Sequence, residues 1–170
     1  MPLFRYELQS FDASITSITI PSYSCNDNNS YSIFNFSRFS LLESIEIRND
    51  SFFSVSTFQI DGLNRLKTIK IGNNSFTQKK NDDGNDESKS FHILNCESLE
   101  SIQIGPYSFS DYAGEFELKN LSQLQSIQIG SIGSDSDNFH DSSFVIRGIE
   151  LILNIVMHRS SKSTIHCIRK

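Results

Sequence analysis

The 170 residues are enough for one domain with a substantial core. Only 37% of them are hydrophobic and Ser and Asn dominate the polar ones, which favours a thin fold with a large surface. The formal net charge of -5 argues against a nucleic-acid binder, and no apolar run reaches the length of a transmembrane helix. Residues 1–11 contain Arg5 and Glu7 where a signal peptide needs an apolar stretch, so a cytoplasmic location is the default interpretation, and a truncated or separately exported chain would look the same.

An apolar pattern repeats along the chain with a spacing that fits neither a helix nor a lone strand. In the unit that begins at Phe91, apolar residues follow two, five, eight, eleven and thirteen positions later, at Ile93, Cys96, Leu99, Ile102 and Ile104. Units with these offsets start near positions 6, 34, 58, 91, 116 and 144, the first with one extra residue. Repeats of this size predict a stack of similar coils, here a single domain over 1–170.

The second half of each unit has the form L-x-x-I-x-I, whose final alternation predicts a short strand with its Ile residues on one side. One such strand cannot bury its apolar side alone, so we expect the units to stack in register as a parallel sheet. The Phe and Leu positions of the returning segments, with Cys96, would close the core from behind. The pattern therefore predicts that the following residues align in adjacent strands: Ile45, Ile69, Ile102 and Ile127.

Three stretches depart from the repeat. The irregular first unit, Tyr6 to Ile20, suits an N-terminal cap, and residues 77–90 form a polar insert loop. A calcium site in that insert is disfavoured, because an EF-hand alignment on Gly84 puts Lys79 and Ser90 at the first and last ligand positions. The short acidic run 134–138 is likewise interpreted as a solvated loop.

The C-terminal unit is more apolar than the others. Leu153 and Val156 occupy outward positions that carry polar residues in the earlier units. This indicates an apolar patch at the C-terminal end of the stack and possible self-association. The spacing of apolar residues also allows a short capping helix over 148–158. The basic tail, 158–170, is expected to shield an exposed edge strand.

The repeat resembles that of leucine-rich repeat proteins. Their signature L-x-x-L-x-L-x-x-N-x-L is matched over Leu66–Phe76, with Asn74 at the Asn position, where other units carry Asp50 and Tyr107. The run 95–104 is similar to the surface-antigen-type (BspA-like) repeats of bacteria and gut protists. The resemblance implies an α/β or mostly β solenoid, with a parallel sheet on the concave face and irregular or short helical returns. It further implies a non-catalytic module that recognises a protein, or a glycan, through that face.

The outward strand residues form the candidate binding surface. Glu43, Lys67 and Glu100 alternate in sign on neighbouring units and are expected to pair laterally. Tyr107 and Tyr112, near the exit of one strand, are candidate interface anchors. A solvated sheet face without a partner is an equally good interpretation of the same columns. The predicted partner-binding residues are Glu43, Glu46, Lys67, Lys70, Glu100, Ser101, Gln103, Gln125 and Gln128.

No catalytic motif, cofactor site or metal-ligand spacing is present in the sequence, so we expect no enzyme activity. His92 is expected to point outward from a returning segment, and Cys96 to be a small buried hydrophobe. Two alternatives remain. The chain could be a structural or self-assembling unit, or a parallel β-helix enzyme acting on polysaccharides, although the latter needs Asp, Arg or Lys grouped on one strand face.

Overall fold

A computed structural model of the chain describes residues 14–26, 33–78, 86–131, 136–139, 142–149, 154–157 and 164–168. Within these ranges the molecule is a parallel β-solenoid of twelve strands, and it contains no helix. Each coil contributes one strand to each of two six-stranded sheets, so strands that follow each other in sequence lie in opposite sheets.

The first sheet contains the predicted strands. Its members are β1 (Ser17–Ile20), β3 (Ser44–Ile47), β5 (Thr68–Ile71), β7 (Ser101–Ile104), β9 (Ser126–Ile129) and β11 (Asn154–Met157). The predicted register is confirmed, because Ile69 pairs with Ile45 on one side and with Ile102 on the other, and Ile102 pairs with Ile127. These isoleucines are buried, as the alternation requires.

The returning segments form a second sheet, so the expectation of irregular or short helical returns is wrong. Its strands are β2 (Ile33–Asn35), β4 (Thr57–Asp61), β6 (Ser90–Leu94), β8 (Glu115–Lys119), β10 (Ser143–Arg147) and β12 (Thr164–Ile168). The physical reason is already present in segments such as Phe91-His92-Ile93, where the first and third residues are buried and the second is half-buried. That period of two is a strand period, and a parallel neighbour on each side satisfies its backbone.

The C-terminal end also differs from expectation. The capping helix over 148–158 is wrong, because β11 pairs with β9 and continues the first sheet. The basic tail contributes β12, which pairs with β10 and so extends the second sheet by one more strand. Several predicted features lie outside the described residues: Leu153, most of the tail, residues 6–13 of the first unit and residues 79–85 of the insert.

Two columns of phenylalanine fill the core between the sheets. One column runs along the second sheet, with neighbouring ring centroids 4.3 to 4.9 Å apart: Phe34, Phe58, Phe91, Phe116 and Phe144. The other column follows the turns after the first-sheet strands, with spacings of 4.7 to 5.0 Å: Phe52, Phe76, Phe109 and Phe139. Rings of the two columns meet edge to face, as in the 5.1 Å contact of Phe91 with Phe109. Aromatic pairs of this kind each add about 0.5–1.5 kcal/mol beyond simple burial.

The turns after β3, β5 and β7 explain the variable Asn position of the signature. Asn74 and Phe76 both have left-handed backbones, with φ of 54° and 58°, and Ser75 lies between them. The same alternation recurs at Asp50 with Phe52 and at Tyr107 with Phe109. The Asn position is thus a left-handed turn residue, which Asn and Asp adopt with less strain than most. The departures from Asn leave the turn geometry unchanged.

Buried serines connect these turns from coil to coil. The hydroxyl of Ser75 donates to the carbonyl of Arg48 at 2.9 Å and accepts the backbone N–H of Ser51 at 3.3 Å. Ser108 repeats this arrangement one coil later, accepting from the N–H of Ser75 and donating to the carbonyl of Gly72. Because these serines are almost completely buried, no solvent replaces a lost bond.

We expect Ser75→Ala to lower the free energy of unfolding by about 1–3 kcal/mol, because the buried N–H of Ser51 would lose its partner and the carbonyl of Arg48 would lose a partly buried bond. Urea denaturation measures the loss. Ser101→Ala, on the half-exposed outward side of β7, is the control and should change stability by less than about 0.5 kcal/mol. Equal midpoints for the two variants would show that the buried hydroxyls do not hold the turns.

Candidate recognition surface

The outward residues of the first sheet lie in aligned columns. Gln103 pairs across the strands with Lys70 on one side and with Gln128 on the other, and Ser101 pairs with Thr68 and Ser126. We call this surface the first-sheet face and define it by the following nine residues, all at least partly exposed: Glu43, Glu46, Lys67, Lys70, Glu100, Ser101, Gln103, Gln125 and Gln128. The structure therefore brings five of the predicted residues to the outward side of the first sheet and places the other four directly before its strands.

Four of these residues directly precede the strands, and their backbones continue the hydrogen-bond ladder of the sheet: Glu43, Lys67, Glu100 and Gln125. The N–H of Lys67 donates to the carbonyl of Glu43 at 2.8 Å, and that of Glu100 donates to Lys67 at 2.9 Å. The N–H of Gln125 continues the series to the carbonyl of Glu100. The backbone at the edge of the first-sheet face is therefore fixed, which holds the attached side chains at a regular spacing.

The predicted lateral pairing is confirmed between Glu43 and Lys67, whose Oε2 and Nζ atoms lie 2.8 Å apart. The hydrogen bond and the charge of Lys67 lower the pKa of Glu43, and the same two effects of Glu43 raise the pKa of Lys67, with a further contribution from the charge of Glu100. The pair thus stays charged at neutral pH. Acid weakens it by protonating Glu43, and base weakens it by deprotonating Lys67. Because both side chains are about half exposed, salt screens the attraction.

The chemical character of the face changes along the stack. Charged side chains concentrate on the earlier coils, where Arg48 also lies 3.7 Å from Glu46. Amides and hydroxyls of Ser101, Gln103 and Gln128 occupy the later coils. None of the nine residues that define this face is aromatic or aliphatic, so recognition by them would depend on hydrogen bonds and charge.

The two tyrosines proposed as anchors behave differently from each other. Tyr112 is 1% exposed, and its hydroxyl donates to the carbonyl of Val55 at 2.8 Å. Burial raises its pKa well above the usual value, with the charges of Asp111 and Asp86 adding to the effect. The interpretation of Tyr112 as a surface anchor is therefore wrong. Tyr107 is half-buried in its left-handed turn.

The second sheet has its own outward face, which the sequence interpretation did not include as a sheet. His92 does point outward there, as predicted, and its Nδ1 lies 3.9 Å from Oε2 of Glu117 on the next strand. At the corner beyond these strands an amide ladder runs from Asn120 to Asn95 to Asp61, with bonds of 2.7 and 2.8 Å. Alternation in Phe-His-Ile and Phe-Glu-Leu is the signal that could have revealed this face.

Sequence reasoning also missed a buried ion pair. Nζ of Lys89 lies 2.6 Å from Oδ2 of Asp111, and their side chains are only 9% and 5% exposed. No sequence signal distinguishes them, because Lys89 belongs to the polar insert 77–90 and Asp111 lies in a short polar turn. The expectation of a projecting loop is therefore wrong at Lys89, which is buried.

Cys96 is completely buried, as predicted, with its thiol donating to the carbonyl of Leu94 at 3.3 Å. Desolvation raises the pKa of this thiol to about 11, so it stays protonated at neutral pH. Because the thiolate is the reactive form, the environment disfavours nucleophilic chemistry.

We accordingly expect Cys96 to resist alkylation at pH 8 in the folded protein and to react fully in denaturant. Peptide mass spectrometry after iodoacetamide treatment measures both. The half-buried Cys25 is the internal comparison and should be alkylated faster in the folded state. Rapid native labelling of Cys96 would contradict its placement in the core.

The described ranges contain no cluster of three or more side chains suited to metal binding. They also contain no helix with the length and hydropathy to cross a bilayer. Of the acidic insert, Lys79 and residues through 85 lie outside the described residues.

Comparison with protein-family models, curated proteins and solved structures finds no match. The class of the molecule therefore rests on its architecture, a parallel β-solenoid with two sheets around an aromatic core.

Proposed function

We propose that the chain is a non-catalytic leucine-rich repeat module, of the BspA-like kind, that recognises a protein partner through the first-sheet face. The observation that carries the proposal is the alignment in columns of nine polar, at least partly exposed residues, in the strands of one sheet or directly before them. The repeated L-x-x-I-x-I strands and the shared left-handed turns support the repeat class. A glycan is the other ligand class that a face of amides and hydroxyls suits.

Rigidity favours recognition by this face. Four of the outward residues are flanked in sequence by isoleucines that are buried in the core: Glu46, Lys70, Gln103 and Gln128. The strands are paired on both sides through most of the sheet. A partner therefore meets side chains on a fixed backbone, and binding loses less conformational entropy than binding to a mobile loop would.

The mixed charge of the face indicates the chemistry of the partner. Lys67 lies immediately before β5 and Lys70 lies in it. Their neighbours in the preceding coil are Glu43 and Glu46. A protein surface with acidic groups opposite the lysines and basic groups opposite the glutamates would match this pattern. Complementarity of this kind mainly sets specificity and association rate.

A structural or self-assembling role is the second candidate. In the described part of the chain β11 and β12 are the last strands of their sheets, and a further strand can pair with such edges. Light scattering on the parent chain and on Val156→Lys distinguishes assembly from recognition by a monomer. A parent chain that dimerises and a variant that stays monomeric would support assembly. A polysaccharide-cleaving β-helix enzyme has less support, because Glu43 and Lys67 on the described face pair with each other.

A capture experiment tests the recognition proposal. The immobilised parent chain is compared with a Lys70→Glu, Gln103→Arg double variant and with a Glu115→Lys, Lys119→Glu control on the second sheet, where both residues are exposed. We expect partners recovered by the parent and the control to be lost by the first-sheet variant. Equal recovery by all three proteins, each folded by circular dichroism, would reject this face as the binding surface.

A further inference from the structure

The buried contact between Lys89 and Asp111 lies where the polar insert joins the stack. Gln78 lies near the start of the insert and Lys89 near its end, and both approach the same carboxylate oxygen of Asp111. Nζ of Lys89 is 2.6 Å from Oδ2, and the backbone N–H of Gln78 donates to that oxygen at 3.3 Å. The ring of Tyr112 lies 5.6 Å from Nζ.

The other carboxylate oxygen of Asp111, Oδ1, lacks a hydrogen-bond donor among the described residues. This oxygen is also buried. Removing two opposite charges from water has a large desolvation cost, and the attraction between them offsets this cost only when the remaining lone pairs are also satisfied. This pair is therefore less favourable as an ion pair than its short distance indicates.

We propose that Lys89 and Asp111 form an intramolecular amide bond, a self-generated crosslink between neighbouring coils. The proton that Nζ shares with Oδ2 moves to the carboxylate and leaves a neutral amine beside a carboxylic acid. The amine nitrogen attacks Cγ of Asp111, a second amine proton passes to Oδ2, and the Cγ–Oδ2 bond breaks to release water. Ammonium plus carboxylate thus becomes amide plus water, with no oxidant, reductant or other reactant.

The geometry suits this reaction in three ways. Nζ touches an atom bonded directly to Cγ, so the amine and the carboxyl group are already held together and lose no entropy of encounter. The N–H of Gln78 polarises the oxygen that leaves. Both side chains are more than nine-tenths buried, so little water is present to reverse the reaction.

The surface pair of Glu43 and Lys67 provides a matched comparison within the same chain. Its N–O distance is 2.8 Å, close to that of the buried pair, but the side chains of Lys67 and Glu43 are 52% and 42% exposed. Water and alternative rotamers compete with bond formation there. If proximity without burial were enough, both pairs would crosslink.

Intact mass spectrometry of the full chain in denaturant tests the proposal directly. We expect the purified, folded protein to be lighter than its sequence mass by one water. Tryptic digestion should then give one branched peptide that joins Lys89 to Asp111, because trypsin does not cleave after an amide-linked lysine. Tandem fragmentation of that peptide locates the bond.

Two variants complete the test. Lys89→Arg keeps the positive charge but has no primary amine, so its mass should equal the sequence value, whereas Lys67→Arg should still lose one water. The parent measurement remains decisive even if Lys89→Arg fails to fold. A parent chain at its full sequence mass overturns the proposal, as does a lost water located elsewhere, for example in a cyclised Asp83-Gly84 pair.

Discussion

Replacement of Ile102 by aspartate is expected to abolish cooperative folding of the stack. Ile102 is 1% exposed in β7 and pairs with Ile69 and Ile127 in the two neighbouring strands. A carboxylate at this position would be buried without a partner, at a cost of several kcal/mol. A domain of this size is stable by only about 5–15 kcal/mol, and each coil depends on its neighbours to bury its apolar side.

Thermal unfolding followed by circular dichroism measures this effect. Gln103→Asp is the matched control, because it places the same side chain one residue later on the exposed side of the same strand. We expect a normal transition for Gln103→Asp and a lost or strongly lowered transition for Ile102→Asp. An unchanged midpoint in Ile102→Asp would be incompatible with the parallel register of the first sheet.

The first sheet was predictable because its pattern has a single solution. In L-x-x-I-x-I only one side of the strand is apolar, so a shift of one residue would expose every isoleucine, and the register follows. The second sheet carries an equally regular signal in Phe58-Gln59-Ile60 and Phe91-His92-Ile93. There the resemblance to leucine-rich repeats favoured irregular or short helical returns, although the local period of two already indicated strands.

The residues that sequence reasoning misplaced are those whose environment depends on a distant partner. Tyr112 has an apolar ring and a polar tip, and its burial depends on the carbonyl of Val55, which is 57 positions away in the chain. Ser51, Ser75 and Ser108 are hidden among many surface serines, and only the stacked turns reveal that they share one buried column. For the first-sheet face the sequence predicted the position of the residues, whereas its partner remains a proposal.

The aromatic core supports the second large prediction, that Phe109→Ala lowers the free energy of unfolding by about 3–5 kcal/mol. Phe109 is completely buried, stacks on Phe76 and Phe139 in its own column and meets Phe58 and Phe91 edge to face. Because neighbouring rings are held on both sides by the ladders, the cavity has little freedom to collapse. Guanidinium denaturation should show a lower midpoint with an unchanged slope.

Tyr107→Ala is the control that isolates ring burial from backbone strain. Tyr107 belongs to the same turn and has nearly the same left-handed backbone, with φ of 61° against 58° for Phe109, but it is only half-buried. Alanine retains the left-handed strain at both positions, so the difference between the variants reports the packing of the Phe109 ring alone. Equal losses would mean that the turn conformation, rather than the phenylalanine columns, joins the two sheets, and the core would then contribute less than its stacked geometry indicates.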